Sequence, residues 1–207
     1  MNVIANFRPR FAEFGLVISL LAVGLGVGSQ RLTVAGQPNA PVTSPRFDSE
    51  VKLTTVKFDA MIKQIASKQA KLTVVDAWAT WCGPCKKNFP HLVEMHEKYS
   101  GKGIAFASLS LDDTTKPKQV AEATEFLREK KAEFANFILD ETMDDAFEKL
   151  DITAIPAVFM FGPDGKIIRK FTLEDPNNQF TYEQVESAVQ EFLAGKPITK
   201  GDAPKKP

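Results

Sequence analysis

Cysteine, histidine, tyrosine and tryptophan each occur only twice in these 207 residues, and neither sign of charge prevails, with 26 Lys and Arg against 26 Asp and Glu. Two cysteines cannot build a structural disulfide framework, and two histidines give little support to a metal-rich site. The balanced charge supplies no overall basic field for nucleic acid and no acidic tail for a cation partner. No segment repeats at a period of about 20–50 residues, which excludes solenoids and propellers. What remains, 43% hydrophobic and 25% charged residues, suits one globular domain with extensions and a single core. The 16 phenylalanines against two tyrosines are core filling.

Long hydrophobic runs are also scarce. The only uncharged apolar stretch near the start runs from Phe14 to Gly28, behind Arg8 and Arg10. At about 1.5 Å per residue it spans roughly 22 Å, short of the roughly 30 Å hydrocarbon core, which favours a cleaved signal over a permanent anchor. Its glycines at 15, 24, 26 and 28 would cost a soluble helix up to about 1 kcal/mol each. Residues 1–35 are therefore expected to be a signal peptide or N-terminal membrane anchor. The arginines keep the N-terminus cytoplasmic and place the rest outside, periplasmic or membrane-anchored, with residues 14–28 as the tether if uncleaved. The proline-rich residues 36–46 form a linker, 47–195 the folded domain and 196–207 a disordered tail.

Within the domain, strands and helices alternate. Strand patterns fall at Val51 to Val56, Leu72 to Ala77, Gly103 to Leu111 and Phe137 to Leu139. Helical spacing links Phe58, Met61, Ile62 and Ile65, and a helix of about sixteen residues runs to Tyr99 with Pro90 inside it. Thr115 is expected to cap the next helix, with Pro117 in its first turn, while Thr142 with Asp145 and Thr181 with Gln184 read as capping boxes. Gly162-Pro163-Asp164-Gly165 joins Ala157–Phe161 to Lys166–Thr172 as a hairpin, and Gly195 stops the last helix. This order predicts an α/β fold with a mixed central sheet and helices on both faces.

Both cysteines lie in Trp81-Cys82-Gly83-Pro84-Cys85-Lys86, at a predicted helix start following a central strand, where open α/β sheets place their sites. A thiolate, not a thiol, attacks a disulfide, and an ordinary cysteine near pKa 8.5 is mostly protonated at pH 7. Unpaired backbone N–H groups and the positive helix end can supply the roughly 1.4–2.7 kcal/mol that lowers Cys82 by one to two units. Cys82 is then the nucleophile and Cys85, one turn on, resolves the mixed disulfide; Gly83 admits a substrate backbone and Pro84 stiffens the first turn. A half zinc site is the competing reading. His91 and His96, five residues apart and so about 140° around one helix, are poorly placed to complete it. They read as surface or packing residues. Asp76, inside an apolar strand, is either hydrogen-bonded where it lies or functional, because an isolated buried carboxylate is costly.

The run Val74-Val75-Asp76-Ala77-Trp78-Ala79-Thr80-Trp81-Cys82-Gly83-Pro84-Cys85-Lys86, with Pro90 and Ile155-Pro156 following in order, closely resembles the thioredoxin superfamily over roughly residues 50–194. About one extra helix and strand between Leu111 and Thr142, together with the leader, resemble its TlpA/ResA branch of exported thiol-disulfide oxidoreductases. The resemblance implies a thioredoxin-like fold with a helix-strand insert, Asp76 as a proton relay for Cys85, and a cis bond before Pro156 that turns the Ile155 backbone toward the cysteines for strand-like substrate pairing. Trp81 belongs to the substrate-facing rim and Trp78 to the core. Ser108 stands where thioredoxin carries a lysine near the buried acid. The implied activity is exchange with protein disulfides or dithiols by a monomer, more as a reductase than an oxidase, in apocytochrome c maturation or a similar role, recycled by a membrane electron donor. It needs no cofactor besides the Cys82-Cys85 disulfide, no metal and no nucleic acid. A copper carrier or a redox-silent binding module on the same fold are the alternatives.

Overall fold

The computed structural model describes residues 51–173, 179–196 and 198. The leader, the linker and most of the tail lie outside them. In chain order the elements are β1 (Leu53–Val56), α1 (Phe58–Ser67), β2 (Leu72–Trp78), α2 (Gly83–Tyr99), β3 (Ile104–Ser110), α3 (Pro117–Glu129), β4 (Ala135–Leu139), α4 (Met143–Leu150), β5 (Ala157–Phe161), β6 (Ile167–Phe171) and α5 (Tyr182–Leu193). The sheet order is β1-β4-β3-β2-β5-β6. β1, β4, β3 and β2 run parallel, whereas β5 is antiparallel to β2 and β6 is in turn antiparallel to β5. This is a thioredoxin-like fold, and its extra unit α3–β4 is not an appendage: β4 lies between β1 and β3.

β2 is buried along its whole length, as a near-continuous apolar run flanked by strands on both sides should be. Its alternation sends Leu72, Val74 and Trp78 into a core under α2, α3 and α5, and Val75 and Ala77 into a second core under α1 and α4. Trp78 packs against Phe89 of α2 and Phe126 of α3, with ring centroids 5.3 and 4.8 Å away, so the inserted helix grips the helix that follows the cysteines.

Local chemistry sets the ends. Thr181 and Gln184 form the expected capping box, and Gly195 ends α5 at a φ of +77°. Gly165 closes the β5–β6 hairpin at a φ of +75°, where a Cβ would sit 3.0 Å from Ile62 Cγ2 and 3.3 Å from the Ile62 carbonyl, so glycine is required twice over. Thr142 caps α4 by accepting from the Asp145 N–H, but its hydroxyl then donates to the Asp145 carboxylate, giving half of the expected box. Thr115 does not cap α3. Its N–H and hydroxyl both go to Asp113 Oδ1, and Lys116 occupies the cap position without a side-chain bond. In the segment expected to be disordered, Ile198 lies partly buried against the first core.

Candidate active site

The chain leaves β2 at Trp78 and starts α2 at Gly83, so a four-residue turn delivers Cys82 to the carboxyl end of the central strand. Cys82 is the N-cap of α2: its backbone is extended, its N–H donates to the Ala79 carbonyl at 3.0 Å, and its Sγ accepts the Cys85 N–H at 3.2 Å. A helix-start amide is thus aimed at the sulfur that must carry charge after reduction. Cys82 and Cys85 are joined as a disulfide, with Cys85 the more buried. Pro84 occupies the first turn, where its missing N–H costs nothing. A Cβ on Gly83 would meet nothing within 4 Å, so packing within the chain does not call for glycine there and the space over it is open.

The turn is held by a group that sequence reasoning missed. Asp112, buried just past β3, accepts from the Thr80 N–H at 3.0–3.1 Å, the Thr80 hydroxyl at 2.6 Å and the Ser110 hydroxyl at 2.7 Å. The Leu111 N–H adds a bond of 2.8 Å to the Trp78 carbonyl. The adjacent acids 112 and 113 give no local sign of which one turns inward.

On the β5 side, the Ile155–Pro156 peptide is cis and the Ile155 carbonyl oxygen lies 3.8 Å from Cys82 Sγ. On the β3 side, Trp81 is 50% exposed and borders a cleft of about 700 Å³ between the loops after β3 and β4. Met143, another of the three exposed large hydrophobics among the described residues, lines the same cleft. Trp81, Cys82 and Ile155 therefore lie together at the carboxyl end of β2, in the interior of the sheet, and Trp78 is fully buried beneath them.

Asp76 lies on the same face of β2 as Val74 and Trp78, under the cluster that contains Cys85. Burial pushes its carboxyl up to about 7, opposed by the Tyr182 hydroxyl, which donates to Oδ2 at 2.7 Å. Oδ1 is buried with no partner among the described residues. Ser108 pairs with Asp76 in register but donates its hydroxyl to Asn136 Oδ1 at 2.8 Å, away from the acid. Tyr182 was legible in part, because it extends the α5 stripe of Val185 and Val189 by one turn toward the N-terminus.

Lys86 is exposed. His91 Nδ1 lies 3.6 Å from Glu94 Oε2 and its ring stacks on Tyr182, whereas His96 sits edge-on to Phe106 and Phe134, its pKa lowered chiefly by burial. No cluster of three or more metal-ligating side chains occurs among the described residues. Nor is any helix among them long and apolar enough to cross a membrane.

Comparison with known proteins gives a match to the Redoxin family over residues 46–189. The thiol-disulfide oxidoreductase ResA of Bacillus subtilis is 21% identical over 109 residues, covering 53% of this chain and 57% of that protein. A ResA of Bacillus cereus is 27% identical over 129 residues, 62% of this chain and 68% of that one. The chain thus spans between about half and two thirds of these relatives. A crystal structure of a hypothetical protein from Sinorhizobium meliloti 1021 superposes with a TM-score of 0.52 at 13% identity, over 69% of this chain and 79% of that one, a likeness of fold alone.

Proposed function

The chain belongs to the Redoxin family, and from that membership we propose that it is a thiol-disulfide oxidoreductase that acts on cysteines of other proteins. One observation carries the reading: the paired cysteines span the first turn of α2, with the Cys85 amide directed at Cys82 Sγ. The identity with the ResA proteins of Bacillus subtilis and Bacillus cereus supports the same activity.

In the reducing direction, the Cys82 thiolate attacks one sulfur of a partner disulfide, forms an S–S bond to it and expels the other sulfur as a thiolate that takes a proton from water. Cys85 then loses its proton to Asp76 and attacks Cys82 Sγ. This closes the Cys82–Cys85 disulfide and expels the second partner sulfur as a thiolate, which also takes a proton from water, two electrons having passed to the partner. A substrate strand lies along the Ile155 backbone, with Trp81 on the opposite rim and Gly83 leaving room above the sulfurs. The arginines and apolar stretch of the leader support an extracytoplasmic setting, with a membrane donor restoring the dithiol and apocytochrome c cysteines among the substrates.

The test compares insulin disulfide reduction by the wild type and by Cys82→Ser, and looks for partners trapped by Cys85→Ser. Activity should vanish with the first, and stable mixed disulfides should accumulate with the second. A wild type that exchanges no disulfide, or a Cys82→Ser variant that still does, overturns the reading; stoichiometric copper binding would point to the carrier instead.

A further inference from the structure

The buried acid has a single hydrogen-bond donor among the described residues, and that donor comes from the far end of the chain. We propose that Tyr182 is a positioning residue of the site: its phenol O–H holds Asp76 Oδ2 and leaves Oδ1 free to take the proton that Cys85 must release. The inference rests on the oxidoreductase reading and assigns a regulator to that same site.

The geometry around the pair is closed. Asp76 faces Ser108 of β3 and Val158 of β5 in register. Neither serves it, since the Ser108 hydroxyl goes to Asn136, whose amide donates to the carbonyls of Ala132 and Phe134 at 2.8 and 3.0 Å. Tyr182 is fixed by the capping box that starts α5 and by the rings of His91 and Phe180, each with its centroid 5.6 Å away. A phenol so held donates to Oδ2 whether or not Oδ1 carries a proton, so the carboxyl keeps one orientation through the cycle.

Other titratable groups stand farther out. α2 brings Cys85 into the same apolar cluster. His91, Glu94 and Lys98 of α2, with Glu183 and Glu186 of α5, instead border a surface pocket of about 170 Å³ that Tyr182 also lines. With the cysteines joined, burial shifts Asp76 upward and the Tyr182 bond opposes it. The balance between them sets when Cys85 can be deprotonated.

The test is a carbon-13 carboxyl titration of Asp76 in the oxidised full-length protein, where the cysteines do not titrate. Tyr182→Phe should raise the Asp76 midpoint by about one to two pH units, the range of a lost hydrogen bond to a charged group. In the reduced Cys82→Ser protein, the pH profile of Cys85 alkylation should move the same way, and Tyr182→Phe should have no effect on that profile once Asp76→Asn is present. An unmoved or lowered midpoint, or an alkylation profile that ignores it, overturns the proposal. Fluorotyrosine in a Tyr99→Phe background keeps the ring's shape with a stronger donor and should lower the midpoint; an unchanged or raised value overturns the proposal even if Tyr182→Phe fails to fold. The carboxyl titration needs no disulfide exchange, so its failure and a failure of the oxidoreductase reading are seen in separate measurements.

Discussion

Replacing Asp76 by Asn should make the oxidised protein more stable at alkaline pH and remove part of its pH dependence. An acid whose pKa rises on folding weakens the fold as pH increases. Below about pH 4 the carboxyl is neutral in both states. Between about 4 and 7 the unfolded chain releases a proton that the folded chain still holds, so stability falls; above 7 the loss is complete. The pKa moves from 3.8 to about 7, and at 1.36 kcal/mol per unit the loss is about 4 kcal/mol for this fully buried group. Asn keeps an acceptor for the Tyr182 hydroxyl and carries no charge. Exposed acids such as Asp113, Asp140 and Asp151, held below their ordinary values mainly by neighbouring hydroxyls or lysines, act with the opposite sign, but they are common to both proteins and cancel in the difference. Guanidinium unfolding of both oxidised proteins, followed by tryptophan fluorescence at pH 4 and pH 8, measures that difference. The advantage of Asp76→Asn should grow by about 4 kcal/mol across this range; a gap independent of pH refutes the reasoning.

Asp112→Ala strands the hydroxyls of Thr80 and Ser110 and the Thr80 N–H, so it should cost about 2–3 kcal/mol in chemical unfolding and slow disulfide exchange, with Asp112→Asn recovering part of both. Trp78→Ala empties the space between Phe89 and Phe126 and should cost about 3–5 kcal/mol in the same unfolding assay.

Much of the site was legible. The β2 run, the turn into α2 and the cysteine spacing are short-range patterns, and the structure places all three as read. The capping box of α5 and the glycine-closed hairpin were equally visible. The capping prediction for Thr115 failed because Asp113, two residues earlier, takes both donors of that threonine, a choice between neighbours that composition does not rank. The resemblance directed attention to Ser108 beside Asp76. The register is right, yet the group that serves the acid is a tyrosine 106 residues away, while Ser108 turns to Asn136.

The amino-acid order determined where strands and helices start and stop and which two sulfurs can pair, because caps, turns and side-chain alternation act within a turn or a pleat. Tertiary structure alone decided that the inserted strand β4 enters the sheet interior, that Asp112 clamps Thr80 and that Tyr182 reaches Asp76. Those outcomes depend on which distant elements exclude water from a polar group. A buried carboxyl takes its proton affinity from whatever surrounds it, and packing chooses those surroundings.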